Sequence, residues 1–250
     1  MNRSGRSERD RGGKGWEPMK RSQINRIIDQ AIETAKEFAF PLPPFAYYTP
    51  EDWRRLQRDE EEIIDNMLGW DVTDFGSGDF EKIGLTIFTF RNGNFTDRAR
   101  YPKTYAEKML LVRDGQILPF HFHWSKMEDI INRGGGALRL WLYNADENGQ
   151  FADTPVVTHI DGKTVTVPAG GEVVLRPGQS ITLMPRQYHQ WQGVPGTGTV
   201  VLFEVSSTND DRTDNRFYSD TVRLPAFEED EDARHLVFMD YGNYVRLPRG

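Results

Sequence analysis

Four residues of the chain have side chains that could hold one metal ion together. His121 and His123 are two apart in an apolar run, so on a β-strand both imidazoles would point to the same face. Glu128 follows after four intervening residues, and His189 lies far downstream. Three neutral imidazole nitrogens and one carboxylate oxygen suit a divalent first-row metal. The spacing therefore predicts a metal centre formed by these four residues.

The prediction depends on the combination of residues, because a single histidine on an apolar face is more often a packed core residue than a ligand. The chain has only five histidines, and three of them belong to this pattern. The other two, His159 and His235, stand in ordinary surroundings, and we interpret them as structural.

Composition and charge exclude several classes of function. The 250 residues are 37% hydrophobic and 28% charged, with a formal net charge of -7, whereas a nucleic-acid-binding protein normally has a basic face. The chain has no cysteine, which excludes disulfides, thiolate catalysis and cysteine-type zinc sites and suits a reducing cytosol. No apolar stretch approaches the about 20 residues of a membrane-spanning helix. We expect a cytoplasmic protein whose partners are neither nucleic acid nor membrane.

The chain is predicted to begin with a tail and a helical segment. Residues 1–18 are polar and rich in glycine and arginine, which is typical of a disordered tail. Apolar residues recur three and four apart over 22–40, as on one face of a helix, and a proline run ends that helix. Thr49 followed by a proline and two acids marks a second helix or a broken pair. We therefore assign 22–69 to a helical segment of a single domain, 19–250.

The remainder of the domain has the pattern of short β-strands. From about residue 84 to 207, apolar runs alternate with Gly, Asn, Asp and Pro, and no helix intervenes, which favours an all-β sandwich or barrel. The predicted strands are 85–90, 105–113, 117–123, 128–132, 137–143, 156–160, 163–167, 172–175, 180–184, 187–191 and 199–205.

The segment around the first two histidines resembles a known motif. Gly115, His121, His123, Glu128 and Gly135 match the first motif of the cupin family at every spacing. The resemblance implies a small antiparallel barrel, or jelly roll, with an N-terminal helical extension in this chain. It also implies that the metal lies inside the barrel and is held by residues from facing strands.

A second, looser match contains the last histidine. The segment from Gly178 to His189 keeps the eleven-residue step of the second cupin motif. Its proline, Pro185, is one place later than usual, the second glycine is absent, and Gly193 stands where asparagine is common. These departures affect the expected tight turn before His189.

A longer run resembles one branch of the cupins, the D-lyxose isomerases. Residues 121–136 read His-Phe-His-Trp-Ser-Lys-Met-Glu-Asp-Ile-Ile-Asn-Arg-Gly-Gly-Gly, and the likeness extends from about Met19 to the C-terminus. It implies a metal-dependent isomerase acting on free sugars, D-lyxose to D-xylulose and also D-mannose to D-fructose, through an enediolate. It further implies manganese and a homodimer, although the ligand types alone would equally accept iron, cobalt, nickel or zinc.

Two residues are candidates for the proton-transfer chemistry. Glu204 interrupts an otherwise apolar strand, where a carboxylate is costly unless it meets a cation, a donor or water. It is either the catalytic acid/base or half of a buried ion pair. Lys108 begins the apolar run 108–112 and could either hold a substrate oxygen or reach solvent. The resemblance to the D-lyxose isomerases favours a position in the active site.

Polar residues elsewhere could contact the sugar. Asp211, Asp214 and Arg216 form a polar loop after the Glu204 strand. We predict that Asp214 and Arg216 bind sugar hydroxyls. A solvated loop with no binding role would have the same residue types. Two other polar residues, Lys126 and Asp129, flank Glu128 and should point outward or brace the metal ligands.

Two alternative functions use the same four ligands. A cupin dioxygenase would bind a chelating substrate and oxygen, and a non-catalytic sugar-binding cupin would bind its ligand without converting it. An assay without oxygen separates the isomerase from the dioxygenase. Sugar phosphates are disfavoured as substrates, since no cluster of arginines or glycine-rich loop accompanies the motif.

Overall fold

A computed structural model describes residues 17–246 of the chain. The predicted tail lies outside the described residues except for its last two positions. Helical elements are short apart from the first. They are α1 (Arg21–Glu37), α2 (Pro50–Arg54), α3 (Glu61–Asp65), α4 (Tyr241–Tyr244) and the 3-10 turns Pro44–Tyr47, Arg58–Glu60 and Phe238–Asp240.

Antiparallel strands form two sheets that enclose the core. The larger sheet has the order β1-β2-β3-β13-β5-β11-β8-β9, and the smaller has the order β10-β6-β12-β4-β14, with β7 paired to β6. The bounds are β1 (Gly69–Thr73), β2 (Leu85–Arg91), β3 (Tyr105–Val112), β4 (Ile117–His123), β5 (Glu128–Gly135), β6 (Leu138–Ala145), β7 (Phe151–Ala152), β8 (Val156–Ile160), β9 (Lys163–Val167), β10 (Gly171–Leu175), β11 (Ser180–Leu183), β12 (Gln187–Gly193), β13 (Val200–Ser207) and β14 (Asn215–Phe217).

Side chains from both sheets meet in one apolar core. Alternate positions are buried along β5, β6 and β11, which is the pattern of strands with one face inward. Leucine, isoleucine and valine from the two inner faces fill the space between the sheets. The architecture is mostly β with antiparallel pairing, as the sequence predicts.

The first helix packs on the outside of the larger sheet. Its buried stripe, which includes Ile24, Ile28 and Ala31, lies against residues of β1, β2 and β3. The helix begins at Arg21, and the side chain of Gln23 accepts the backbone N–H of Lys20 at 2.8 Å. The helical extension therefore covers an apolar sheet face that would otherwise meet water.

Every predicted strand is present, and three further strands were not predicted. All five residues of β1 are buried, so it lacks the alternation that reveals a strand. The strands β7 and β14 have only two and three residues. The single domain spanning 19–250 stays a prediction.

Candidate active site

Two neighbouring strands of the smaller sheet bring the three histidines together. His121 and His123 occupy consecutive inward positions of β4, and the β4–β12 pairing places His189 directly opposite His121. All three side chains are buried, and one ring nitrogen from each lies within 4.8 Å of the others. The register of the β4–β12 pairing therefore brings His189 next to two histidines that are far from it in sequence.

Backbone carbonyls orient two of these imidazoles. Nδ1 of His121 lies 3.0 Å from the Pro119 carbonyl oxygen, and Nδ1 of His189 lies 3.0 Å from the Gln187 carbonyl oxygen. A proton on Nδ1 leaves Nε2 as the lone-pair nitrogen, which is the tautomer a metal ligand needs. The β4–β12 register also slips by one residue beside Pro119, which has no N–H to donate to the ladder.

The turn before His189 forms without the motif's second glycine. Arg186 adopts the left-handed conformation with φ 63°, and its N–H donates to the His123 carbonyl oxygen at 2.9 Å. Its guanidinium lies over the rings of Phe122 and Trp124. These contacts offset the strain of a non-glycine residue at this position.

Glu128 reaches the histidines from the larger sheet. Its Oε1 lies 3.3 Å from Nε2 of His123 and 3.2 Å from Nε2 of His189. Both Oε1 and Nε2 of His189 are buried without a hydrogen-bond partner among residues 17–246. Buried lone pairs that face one another in this way fit a shared cation. The structure groups the three histidines, and Glu128 contacts two of them.

Electrostatics favour the ligating forms of these side chains. Burial lowers the pKa of His121 and of His123, and the neighbouring imidazoles and Lys126 lower them further, so both rings are neutral at neutral pH. Burial alone would raise the pKa of Glu128, but Lys126 and His123 outweigh burial and hold that pKa well below its usual range.

Lys126 is buried between two carboxylates. Its Nζ lies 2.6 Å from Oε2 of Glu128 and 2.8 Å from Oε1 of Glu204. Burial alone would lower the pKa of Lys126, but the two carboxylates raise it above its ordinary value. Of the two orientations considered from sequence, the inward, bracing one is found. Asp129, by contrast, accepts a hydrogen bond from Thr182 Oγ1 at 2.5 Å.

Glu204 faces the same space from β13. Its side chain is buried, and its Oε1 accepts hydrogen bonds from Lys126 Nζ at 2.8 Å and Ser206 Oγ at 3.0 Å. No donor contacts Oε2 within the described part of the chain. One oxygen of Glu204 is therefore held in place, and the other is available to exchange a proton.

Lys108 continues the line of charges away from the histidines. It lies opposite Glu204 in the β3–β13 ladder, and its Nζ is 3.6 Å from Oε1 of Glu204 and 3.1 Å from Oδ2 of Asp211. Arg223 Nη2 in turn lies 3.3 Å from Asp211 and 2.6 Å from Asp71. Burial would raise the pKa of Asp211, but Lys108 and Arg223 hold it far below its usual range. Acids and bases thus alternate from Asp71 to Glu128, which contacts the histidines.

Most of these residues, though neither Asp71 nor His189, line one cavity together with Asn215 and a set of apolar side chains that we call the apolar wall. The apolar wall consists of Phe75, Leu85, Ile87, Leu110, Leu118 and Phe217, together with Trp191. The cavity volume is about 30 Å³, room for about two water molecules.

The two predicted substrate-binding residues lie elsewhere. Asp214 accepts the backbone N–H groups of Ser125 and Lys126 at 2.9 and 3.1 Å, so its carboxylate is committed to holding the β4–β5 turn. Arg216 contacts the Tyr188 hydroxyl at 3.4 Å, outside the cavity lining. Asp211, from the same polar segment, lines the cavity instead.

Two residues of this line of charges were not found from sequence. Asp71 had a recognisable signal, since it is a buried carboxylate on a strand, as Glu204 is. That signal was missed because Asp71 follows the predicted helical segment 22–69, and no strand was predicted before residue 85. Arg223 stands in an irregular segment, and nothing in its neighbourhood distinguishes it from a surface arginine.

Two solved structures share this fold. The L-ribose isomerase of Acinetobacter sp. DL28, solved with L-ribose, superposes with a TM-score of 0.59 at 16% identity over 86% of this chain and all of its own. The L-ribose isomerase of Cellulomonas parahominis, solved with L-psicose, gives 0.57 at 16% identity over 84% of this chain and 98% of its own. At this identity the likeness shows the fold alone, and it confirms the predicted cupin-type barrel.

Sequence comparison defines the family. The family model for D-lyxose isomerase matches residues 19–241. The D-lyxose/D-mannose isomerases of Serratia proteamaculans and Escherichia coli O157:H7 are 44% and 45% identical to this chain, over 91% and 90% of it and the whole of each relative.

Fold and site together define the class of protein, a cupin-type sugar isomerase. More narrowly, the chain belongs to the D-lyxose isomerase family, as the motif around His121 predicts. Its reaction is an aldose–ketose isomerisation. No helix among residues 17–246 is both long enough and apolar enough to span a membrane.

Proposed function

We propose that this chain interconverts D-lyxose and D-xylulose, and D-mannose and D-fructose, by a metal-dependent proton transfer through an enediolate. The observation that carries the proposal is Glu204, which presents a free carboxylate oxygen in the cavity that His121 and His123 also line. The names of the relatives at 44% and 45% identity support the choice of sugars.

The metal would be held by His121, His123, Glu128 and His189. Support comes from the mutual distances of the three histidines, the contacts of Glu128 with two of them, the burial of all four residues and the two unpartnered buried atoms that face one another. When bound, a divalent cation would polarise the sugar's carbonyl and adjacent hydroxyl and so lower the barrier to loss of the proton from carbon 2. We propose manganese as that cation.

Glu204 would move the proton. In the forward direction its Oε2 takes the proton from carbon 2 of the aldose, exchanges it in part with solvent and delivers a proton to carbon 1, while the hydroxyl proton of O2 passes to O1. The product is a ketose of the same composition as the substrate. Lys126 and Ser206 hold Oε1, so the carboxylate keeps one orientation through both transfers.

Lys108 would steady the charge that develops on the sugar oxygens. Its ammonium lies beside Glu204 and is anchored by Asp211, so it can donate to an oxygen without leaving its own salt bridge. We also assign sugar contacts to Asp211 and Arg223, in place of Asp214 and Arg216, because the first pair lines the cavity.

An anaerobic assay tests the proposal. Protein stripped with a chelator and reloaded with manganese is incubated under nitrogen with D-lyxose, D-mannose and other aldoses, and ketoses are sought. We expect D-xylulose and D-fructose from the first two sugars and little from stripped protein. Turnover that required oxygen would indicate a dioxygenase, and binding without any ketose would indicate a sugar-binding cupin.

The metal, the assembly and the location have direct tests. Reloading with manganese, iron, cobalt, nickel or zinc should give the highest activity with manganese. We further propose a homodimer and a cytoplasmic location. Light scattering after gel filtration measures the first, and fractionation of the source cells measures the second.

A further inference from the structure

The apolar wall of the cavity carries one unused hydrogen-bond donor. Trp191 lies on β12 two residues beyond His189, on the same face of the strand, and is 2% exposed. Its Nε1–H is buried and has no acceptor among the described residues. Buried donors without partners are rare in folded proteins, and near a cavity they indicate a ligand or an ordered water.

The position of this donor defines the chemistry of its partner. The other residues of the apolar wall, such as Leu118 and Phe217, have no polar side-chain atom. Asn215, which lies on β14 with Phe217, already donates to the Asp211 carbonyl oxygen at 2.7 Å, so Nε1–H is the unpartnered donor on that side of the described cavity lining. The indole can only donate, so the partner must be an acceptor oxygen. With no charge on that wall, a neutral hydroxyl fits better than a carboxylate or a phosphate.

We propose that Trp191 binds the sugar by donating to a hydroxyl oxygen on carbon 4 or carbon 5, at the end away from the reacting carbons. The inference rests on the proposed function, which places carbons 1 and 2 beside Glu204 and the histidines. Trp191 lies one inward position farther along β12, beside Leu118, so the rest of an extended sugar would lie against it.

Trp191→Phe isolates the donor. The indole ring lies 5.8 Å from the His189 ring at an interplanar angle of 25°, and phenylalanine keeps an aromatic ring at this position while removing the N–H. We expect KM for D-lyxose to rise about threefold to tenfold, the range for loss of one neutral hydrogen bond, with bound manganese and Tm unchanged. Trp141→Phe, in a half-buried position on β6, is the matched control and should leave KM unchanged.

Deoxy sugars identify the partner hydroxyl. One of the two sugars 4-deoxy-D-lyxose and 5-deoxy-D-lyxose lacks the oxygen that accepts from Trp191. With that sugar, wild type and Trp191→Phe should have equal KM values. An unchanged KM for D-lyxose in the variant, or a rise that persists equally with both deoxy sugars, would overturn the proposal.

A binding measurement separates this inference from the isomerase proposal. The alditols made by reducing D-lyxose and its deoxy analogues cannot isomerise, and calorimetric titration of manganese-loaded protein measures their affinity without turnover. The affinity for the D-lyxose alditol should fall about threefold to tenfold in Trp191→Phe and be unchanged for one deoxy alditol. Equal affinities of wild type and variant for the D-lyxose alditol would count against Trp191 even if the enzyme is active.

Discussion

At the scale of single residues, the site is a line of opposite charges that ends at the cluster of three histidines. Lys126 is central to that line because its ammonium contacts both Glu128 and Glu204. Glu128 and Glu204 therefore share one cation, which holds the pKa of Glu128 below its usual range although burial alone would raise it.

Replacing Glu204 by glutamine should separate proton transfer from metal binding. Glutamine keeps the shape of the side chain but cannot accept a proton from carbon 2, so kcat should fall about 10²- to 10⁴-fold. Bound metal, measured by plasma emission, should stay at the wild-type amount, because Glu204 lies outside the ligand set.

Glu107→Gln is the matched control, since Glu107 is next to Lys108 on β3 but pairs with Arg91 instead of facing the cavity. It should keep wild-type kcat. Wild-type turnover in Glu204→Gln with metal retained would remove Glu204 from the mechanism.

At the scale of elements, the site is built by register. His189 lies opposite His121, Lys108 lies opposite Glu204, and Ser206 lies opposite Glu128, each on paired strands. The ladders thus bring together groups that are far apart in sequence, and the two sheets bring the pairs to face each other.

The outer elements hold the fold together through a buried arginine. Arg21, at the start of α1, has no exposed side-chain surface and donates to Asp240 at 2.9 and 2.8 Å and to Glu229 at 2.8 and 2.7 Å. These ion pairs join the N-terminal helix to the C-terminal segment.

Arg21→Met should therefore lower the free energy of unfolding by about 3 to 5 kcal/mol, since it leaves buried Asp240 without its cation. Urea denaturation measures the change. Arg26→Met, on the exposed face of the same helix, should alter stability by less than about 0.5 kcal/mol. Equal stabilities of the two variants would show that the buried ion pairs are not a stabilising link.

The sequence predicted the strand-borne parts of the site better than the rest. His121, His123 and Glu204 stand out because their alternation or their polarity breaks an apolar run, and these are local signals. Asp71 and Arg223 were missed because their proximity to the site depends on how β1 and an irregular segment pack against the barrel. Lys126 was singled out, but only packing shows which way its side chain points.

At the scale of the whole molecule, buried charges couple stability to pH. Lys108 and Arg223 hold the pKa of Asp211 far below its usual 3.8 in the folded protein, whereas in the unfolded chain it keeps the usual value. A depressed folded-state pKa contributes stability that is fully present above pH 3.8 and is lost as the pH falls below it, because the unfolded chain then binds the proton first.

Asp211→Asn should therefore be less stable than wild type at pH 7, and the difference should shrink below about pH 4. Urea denaturation at several pH values between 7 and 3 measures this. Asp153→Asn, at an exposed position, should follow the wild-type curve throughout. A difference for Asp211→Asn that stayed constant over this range would mean that the carboxylate is not ionised in the fold.

The central claim is that a metal held by His121, His123, Glu128 and His189 works with Glu204 to move a proton between the first two carbons of a free sugar. The most direct measurement is proton NMR of D-lyxose incubated with manganese-reloaded protein in D₂O under nitrogen, beside chelator-stripped protein and His121→Ala. We predict D-xylulose carrying deuterium on carbon 1 from the reloaded protein and no product from the other two samples. D-xylulose from the stripped protein, or product that forms with no deuterium on carbon 1, would contradict the claim.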